Sequence, residues 1–410
     1  MLPGPSNFLL LRMEKKVLVC GASISGTAIA LWLQKLGYEV VVVEKYAAFR
    51  DGGQNVDIKA YGQDILRLMG IDREVDSKNT GELGLKHLNR HGKTISTYPK
   101  GAVGGLTSSY EILRGDLARI IYERTSGVCA YKFGRFVQGV VEDAEGVTVT
   151  FNDGSTETFS MMICADGIGS STRDLVMPEF IHFNYLGAYM AFFTIPRVSD
   201  DDLWAKAYQV EGGAMVFLRP GHANETTVLV SFLKDDVEAG GLSIAEQKER
   251  LKNVLSGKGG IADRVAGALD GVKDMYFGPM SQVKASRWSK GRVVLLGDAA
   301  HAPTPFTGMG TALSLIGAYI LAGEIGRNGS VRTAFEAYEA VYKPFVGLSQ
   351  GQMTVRMMRL LHPSSRFRIA ITRTISRIFA SGVVQRVLRS RVSKEGGGDQ
   401  DGKFVLPIYG

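Results

Sequence analysis

Apolar residues in this chain alternate between two spacings, and the changes of spacing mark its elements. Val17, Leu18, Val19 and Cys20 form a continuous apolar run behind Lys16, which predicts a strand buried on both faces. Gly21-Ala22-Ser23-Ile24-Ser25-Gly26 follows. Next comes an apolar-periodic stretch over 27–36 that predicts a helix, closed by Gly37. A second buried strand is predicted over 39–43 and stops at Glu44. Strand, turn, helix and strand make a βαβ opening with a glycine-rich first turn.

The middle of the chain is mixed. Helices are predicted over 64–69 and 113–124, and strands over 136–142, 147–151 and 156–163. Asn152-Asp153-Gly154 is a hairpin turn signal. From about 180 to 285 the pattern becomes sheet-like. Runs at 189–195, 214–218, 227–233 and 275–283 are interrupted by one amphipathic helix at 244–255. The opening pattern then returns as a strand over 293–296, Gly297-Asp298 and a helix over 311–325, and 331–393 reads as helical.

These elements predict an α/β protein: a Rossmann-like dinucleotide-binding domain with an inserted β-sheet domain and C-terminal helices. The expected division is a disordered leader over 1–13, a discontinuous nucleotide-binding domain over 14–178 and 285–330, and a substrate-binding sheet over 179–284. A helical segment over 331–394 and a tail over 395–410 complete it.

Composition narrows the class. With 410 residues, 45% of them apolar, the chain can bury a large core, and its 50 glycines follow no collagen-like period. Cys20, Cys129 and Cys164 share no close spacing, so neither a disulfide framework nor a metal site is expected. A reducing, cytoplasmic compartment follows from that usage. No apolar run reaches the ~18 residues of a membrane span.

The net charge of +7 is placed unevenly. Residues 340–394 hold eleven Lys and Arg and no acid, so the rest of the chain is net negative. Nucleic-acid binding as the main function loses force on that ground.

Three turns carry candidate chemistry. Gly21, Ser23 and Gly26 occupy the G-x-G-x-x-G positions of a strand-to-helix turn whose amides can cradle a pyrophosphate, with serine in place of the second glycine. Glu44 lies 18 residues after Gly26, where an acid accepts hydrogen bonds from a ribose diol. The second turn is Asp166-Gly167-Ile168-Gly169-Ser170-Ser171-Thr172-Arg173, which by itself reads as a surface turn. The third is Gly297-Asp298, followed by Pro305, Gly308, Met309, Gly310 and Thr311 before a helix. There Asp298 can reach a ribityl hydroxyl, and the glycines let amides approach a ring carbonyl.

In this order the three turns resemble the FAD-dependent aromatic monooxygenases of the p-hydroxybenzoate hydroxylase fold. The second turn looks like their D-G motif, Asp166-Gly167-x-x-Ser170-x-x-Arg173, and the third like their G-D motif. Gly52-Gly53-Gln54-x-x-Asp57-Ile58-Lys59, Ile112-Leu113-Arg114-Gly115-Asp116-Leu117 and Leu186-Gly187-Ala188-Tyr189 are similar to the tetracycline-inactivating branch.

The resemblance implies FAD on Gly21, Ser23, Gly26, Glu44, Lys45, Asp57, Lys59, Arg114, Asp166, Asp298, Pro305, Gly308, Met309, Gly310 and Thr311. It implies NADPH or NADH as electron donor, bound transiently. It also implies a flavin C4a-hydroperoxide that passes one oxygen atom from O₂ to a polycyclic or phenolic, polyketide-like molecule. A catalytic triad is not expected. A flavin-dependent oxidase or cyclase, a Baeyer–Villiger enzyme and a non-catalytic, membrane-peripheral flavoprotein are the alternatives. The W-x-W-x-I-P segment of the related halogenases is absent.

Several residues carry two readings. His301 beside the third turn reads as a cap or a satisfied polar partner before it reads as a base. Tyr189, Phe192, Met215 and Phe217 lie on strands of the inserted sheet, where one face packs and the other can line a pocket. Arg219 is expected to be a solvated arginine, with an anionic substrate group as the alternative partner. Arg50 and Lys59 flank the Gly52-Gly53 loop. The apolar positions from Ile369 to Leu388 recur at helical spacing and are expected to pack across the domains. A weak contact with anionic lipid through 356–391, or with a partner protein, is the alternative.

Overall fold

The computed structural model describes residues 15–50, 52–59, 61–103, 108, 110–238, 241–394 and 404–409, so the expected leader lies outside the described residues. The βαβ opening forms as its pattern requires. Strand Lys16–Cys20 pairs in parallel with Glu39–Glu44 on one side and Met161–Cys164 on the other. Ala130–Phe133, Val293–Leu295 and the antiparallel edge strand Ser289–Lys290 complete a six-stranded sheet. Val17, Leu18 and Val19 are fully buried between helices, which is why this strand carries no polar alternation. Helix Ile24–Lys35 packs against helix Gly310–Arg327, and Trp32 meets Tyr319 edge-on.

The apolar run over 156–163 is two strands rather than one. Thr156–Phe159 belongs to a three-stranded antiparallel sheet, and Met161–Cys164 to the parallel one. Ser160 makes the switch: its amide and hydroxyl both donate to Lys16 O, at 2.8 and 2.7 Å, and the chain turns from one sheet into the other.

The large, mostly antiparallel sheet has seven strands and extends beyond the expected 179–284 segment. Its longest strand, Ile181–Pro196, bulges at Gly187 and pairs with Glu225–Leu233 and Tyr276–Ala285. Gly84–Leu88 adds in parallel to Ala205–Val210, and Thr94–Pro99 follows at the edge. The faces differ. One, with Val216, Val230 and Phe232, packs beneath helices Ile244–Leu255 and Gly260–Ala268. The other, with Met190, Met215 and Leu229, looks toward the first domain.

Helix Val331–Gly351 lays Tyr338, Tyr342 and Phe345 against the first domain. Within the expected tail, residues 404–409 return to the same place. Phe404 stacks on Phe345 with ring centroids 4.4 Å apart, and Tyr61 Oη donates to Phe404 O at 2.9 Å. Tyr409 Oη donates to Glu324 Oε1 at 2.7 Å. Gly323 admits that ring, because a Cβ there would overlap it.

Buried histidines set an acid limit on this fold. Burial lowers His301 and His87 to about 4, and lowers His362 in the same direction. In the unfolded chain each titrates near 6.5, so the unfolded state binds more protons between those values. Their contribution to stability is present above about 6.5 and is lost as pH falls toward 4. His301 nitrogens have no hydrogen-bond partner, and the ring packs 4.9 Å from Trp288. The melting temperature is therefore expected to fall between pH 7 and pH 5. His301→Phe, which keeps the ring packing, should flatten part of that slope in a pH series of thermal melts.

Candidate active site

The three turns, far apart in sequence, interlock. Gly21 has a φ of +103°, and a Cβ there would meet Ala165 O at 2.6 Å, so the first turn presses directly on the second. Gly297 (φ +64°) admits Ser25 Oγ where a Cβ would stand, so the first turn also presses on the third. Within the second, Asp166 accepts from Ser170 Oγ and from Thr172 N, and burial raises its carboxyl pKa. Arg173, fully buried, ties the second turn to the third. Its Nη1 donates to Ile168 O at 3.1 Å and to Ala299 O at 3.2 Å.

Two helix N-termini at this junction are left open. Helices Asp72–Ser77, Arg114–Thr125 and Gly260–Ala268 also begin without a side-chain cap, whereas Ser170, Ser243, Ser330, Thr354 and Ser365 each accept from the first turn of the helix they begin. Ser23 begins helix Ile24–Lys35 and does not: its hydroxyl accepts instead from Arg114 Nη2 at 2.7 Å. Met309, before helix Gly310–Arg327, makes no side-chain cap either. Uncapped amides with a positive helix end suit an anion or a ring carbonyl.

Glu44 stands beside the first turn, with Oε2 accepting from Ala22 N at 3.0 Å and Oε1 from Tyr46 N at 3.1 Å. Lys45 is exposed, its Nζ 5.3 Å from the Tyr46 ring centroid, and Arg50 pairs with Asp274 at 2.5 Å. Arg114 feels both Asp298 and Glu44, although burial itself lowers its pKa.

The third turn leads into a strained loop. Thr304 has a φ of +111°, the only positive value of a non-glycine among the described residues. Such a conformation costs about 1–3 kcal/mol and marks functional loops. Pro305–Thr307 makes one 3₁₀ turn, and Gly308 (φ +63°) follows, with Lys59 Nζ only 2.8 Å from where its Cβ would be. Gly310 and Thr311 then open the uncapped helix. Asp298 lies across from them, 4.0 Å from the position of a Gly310 Cβ, its carboxyl raised by burial. The donor set therefore fits FAD: open amides and Arg114 for the pyrophosphate, Glu44 for the ribose, Asp298 for the ribityl chain, and the second helix end for the ring.

Above this loop lies the inner face of the large sheet. Met215 and Phe217 are on it, and Phe217 meets Phe306 edge-on at 6.2 Å. Phe192 shares that face, beside Met190 and Leu229. Tyr189 does not: it lies on the outer face, stacked with Phe232, and its Oη accepts from Glu238 N. Strand alternation puts neighbours on opposite faces, which removes Tyr189 from the candidate pocket.

Arg219 and Asp57 also take other roles. Arg219 is not solvated: its side chain is 19% exposed and grips Glu82 at 2.8 and 3.1 Å and Asp57 at 3.2 Å. Burial lowers the Arg219 pKa, but Glu82 and Asp57 outweigh it and raise the value. The Asp57 carboxylate, which also accepts from Ser108 N at 2.6 Å, is committed to this knot and not to a cofactor.

Sequence reasoning missed the polar pair on the inner face. Ser231 Oγ lies 2.7 Å from His362 Nε2, and His362 Nδ1 lies 2.9 Å from Met358 O. A carbonyl only accepts, so Nδ1 carries the hydrogen, and the neutral ring takes the Ser231 hydroxyl hydrogen at Nε2. Ser231 is legible as an inward position by its spacing from Leu229 and Leu233. Nothing near His362 announces a partner 131 residues away.

Fold and site together define an FAD-dependent monooxygenase. The chain belongs to the family whose model, described as an FAD binding domain, matches residues 14–338. It is 34% identical to the flavin-dependent monooxygenase eupH of a Phoma species, over 96% of this chain and 97% of that protein. A flavin-dependent monooxygenase of Legionella longbeachae is 33% identical over 82% and 87%. Among solved structures, the tetracycline destructase Tet(55) superposes with a TM-score of 0.80 at 27% identity, covering 96% of this chain and 99% of its own. HpxO of Klebsiella pneumoniae, solved with FAD and uric acid, shares the fold with a TM-score of 0.73 at 20% identity.

Two variants separate the roles of these contacts. Ser23→Gly restores the glycine pattern but frees Arg114, and FAD affinity should fall about tenfold, the worth of one charge-assisted hydrogen bond. Fluorescence titration of the apoprotein measures it, and equal or tighter binding would remove the role given to Ser23. Arg219→Met leaves three carboxylates buried without their cation. A loss of about 3–5 kcal/mol is expected, read as a melting temperature lower by about 5 °C.

Proposed function

We propose that this enzyme uses NADPH or NADH to reduce its FAD and inserts one atom of O₂ into a polycyclic or phenolic, polyketide-like molecule. The observation that carries the reading is the pair of uncapped helix ends, at Ser23 and Met309, aimed at one junction beneath an apolar sheet face. When bound, the flavin supplies the oxygen chemistry, and the protein supplies position and dryness. Ser23 and Arg114 hold the pyrophosphate end. Asp298 and the Gly310–Thr311 amides orient the ring end. Lys59, beside Gly308, sets positive charge at the edge of the same loop.

The inner sheet face supplies a dry wall. Met190, Met215 and Phe217 are buried on it, and Phe306 closes it from the loop side. A flat, multi-ring substrate suits such a wall better than a small polar acid, because Arg219, its strongest cation, is already neutralised by Asp57 and Glu82. Ser231, its hydroxyl hydrogen given to His362, is fully buried within that wall. Tet(55), a tetracycline destructase by name, supports a polycyclic substrate class.

The test is stopped-flow reduction by NADPH and by NADH without oxygen, with and without a panel of phenolic polyketides, followed by turnover under ¹⁸O₂. Flavin bleaching accelerated by one compound, and one ¹⁸O atom in its product, are expected. Label arriving from water alone would remove oxygen transfer, and acceleration only by small polar acids would remove the substrate class.

A further inference from the structure

Helix Arg366–Phe379 sits on the protein the wrong way round. It meets the body through a largely polar side. Ile369 is buried, Thr372 Oγ1 donates to Gln209 Oε1 at 2.9 Å, and Ser376 O accepts from Tyr98 Oη at 2.9 Å. Phe367, Ile371, Ile375 and Ile378 recur at helical spacing on the opposite side. They are 75%, 43%, 48% and 55% exposed. Val383, on the next helix Gly382–Lys394, extends the stripe at 74% exposed. A surface helix normally turns such a stripe to the core. This one presents it to solvent, which corrects the expectation that these residues pack across the domains.

The segment that carries the stripe is charged with one sign only. No acid occurs between residues 340 and 394, against eleven Lys and Arg. Arg368 and Arg377 stand exposed on the same helix. Arg366 and Arg359 reach acids of the body, Glu211 at 2.8 Å and Asp235 at 3.3 Å, in exposed pairs that neutralise little.

We infer that this face docks the enzyme on an anionic lipid surface, with the apolar stripe set between headgroups and the arginines against phosphates. The alternatives fit less well. A second copy seated on the face would set its exposed Arg368 and Arg377 against the same like charges. A neutral apolar partner would leave the arginines unmatched. An anionic bilayer supplies both an apolar layer and negative charge at the depth of one helix. No helix of the described residues is long and apolar enough to cross, so the contact is peripheral.

The FAD-loaded full chain is floated with vesicles of phosphatidylcholine alone, or of phosphatidylcholine with phosphatidylserine, at low and high salt. The protein should float with the anionic vesicles only, and high salt should release it. The double variant Phe367→Asp, Ile375→Asp should partition about tenfold less or weaker still, with flavin content and melting temperature unchanged. The inference is overturned by any of three results. One is no flotation with anionic vesicles at low salt, and another is flotation indifferent to the double variant. The third is a wild-type dimer in light scattering that this variant converts to monomer, which would assign the face to a second copy.

Discussion

The guanidinium of Arg219 stands where three acids from two other parts of the chain converge. Glu82 and Asp57 bind it directly, and Glu111 Oε1 lies 3.7 Å away while accepting from Asn55 and Thr80. One cation cannot neutralise three buried carboxylates. Burial raises the Glu111 pKa and Glu82 adds to that rise, against the Arg219 charge. The knot fixes the two-stranded ribbon of Asn55–Ile58 and Tyr110–Leu113 against the large sheet. That ribbon ends in Lys59 on one side and Arg114 on the other. Arg219 shares that task with Asn55, which donates to Pro220 O at 2.8 Å and accepts from Thr227 Oγ1 at 2.5 Å, so the ribbon that carries Lys59 and Arg114 is pinned to the large sheet at two points.

Ser23 shows how a departure from a motif is absorbed. The missing glycine appears in sequence as a weaker pyrophosphate cradle. In space its hydroxyl faces Arg114, so the turn gives up some closeness of approach and gains a positioned cation. The first helix end is left uncapped because the residue that would cap it is occupied elsewhere.

Much of the nucleotide-binding half was legible, because its signals are local. The strand of Val17, the turn at Gly21 and the acid at Glu44 lie within one βαβ unit. Helix Ile244–Leu255 was legible to the residue, since Ser243 and Glu246 form a capping box. What stayed hidden depends on distant partners. Ser160 interrupts an apolar run only because Lys16 O stands beside it. Arg219 looks like a surface arginine until Glu82 and Asp57 are brought to it. Periodicity marks Ile371 and Ile375 as one face of a helix but is silent on which side meets the body. That was decided by Ser376 and Thr372, whose hydrogen bonds outbid the apolar side.

The return of Phe404–Tyr409 has a consequence for synthesis. The seven-stranded sheet has all its strands once residue 285 has left the ribosome. The first domain, whose opening strand emerges at Lys16, still lacks Val293–Leu295 and the closing rings of Phe404 and Tyr409. The part made first is finished last. During translation the strands of the inserted sheet can pair early, but its inner face stays uncovered until Phe306, Met353 and Met358 emerge, so both halves close late.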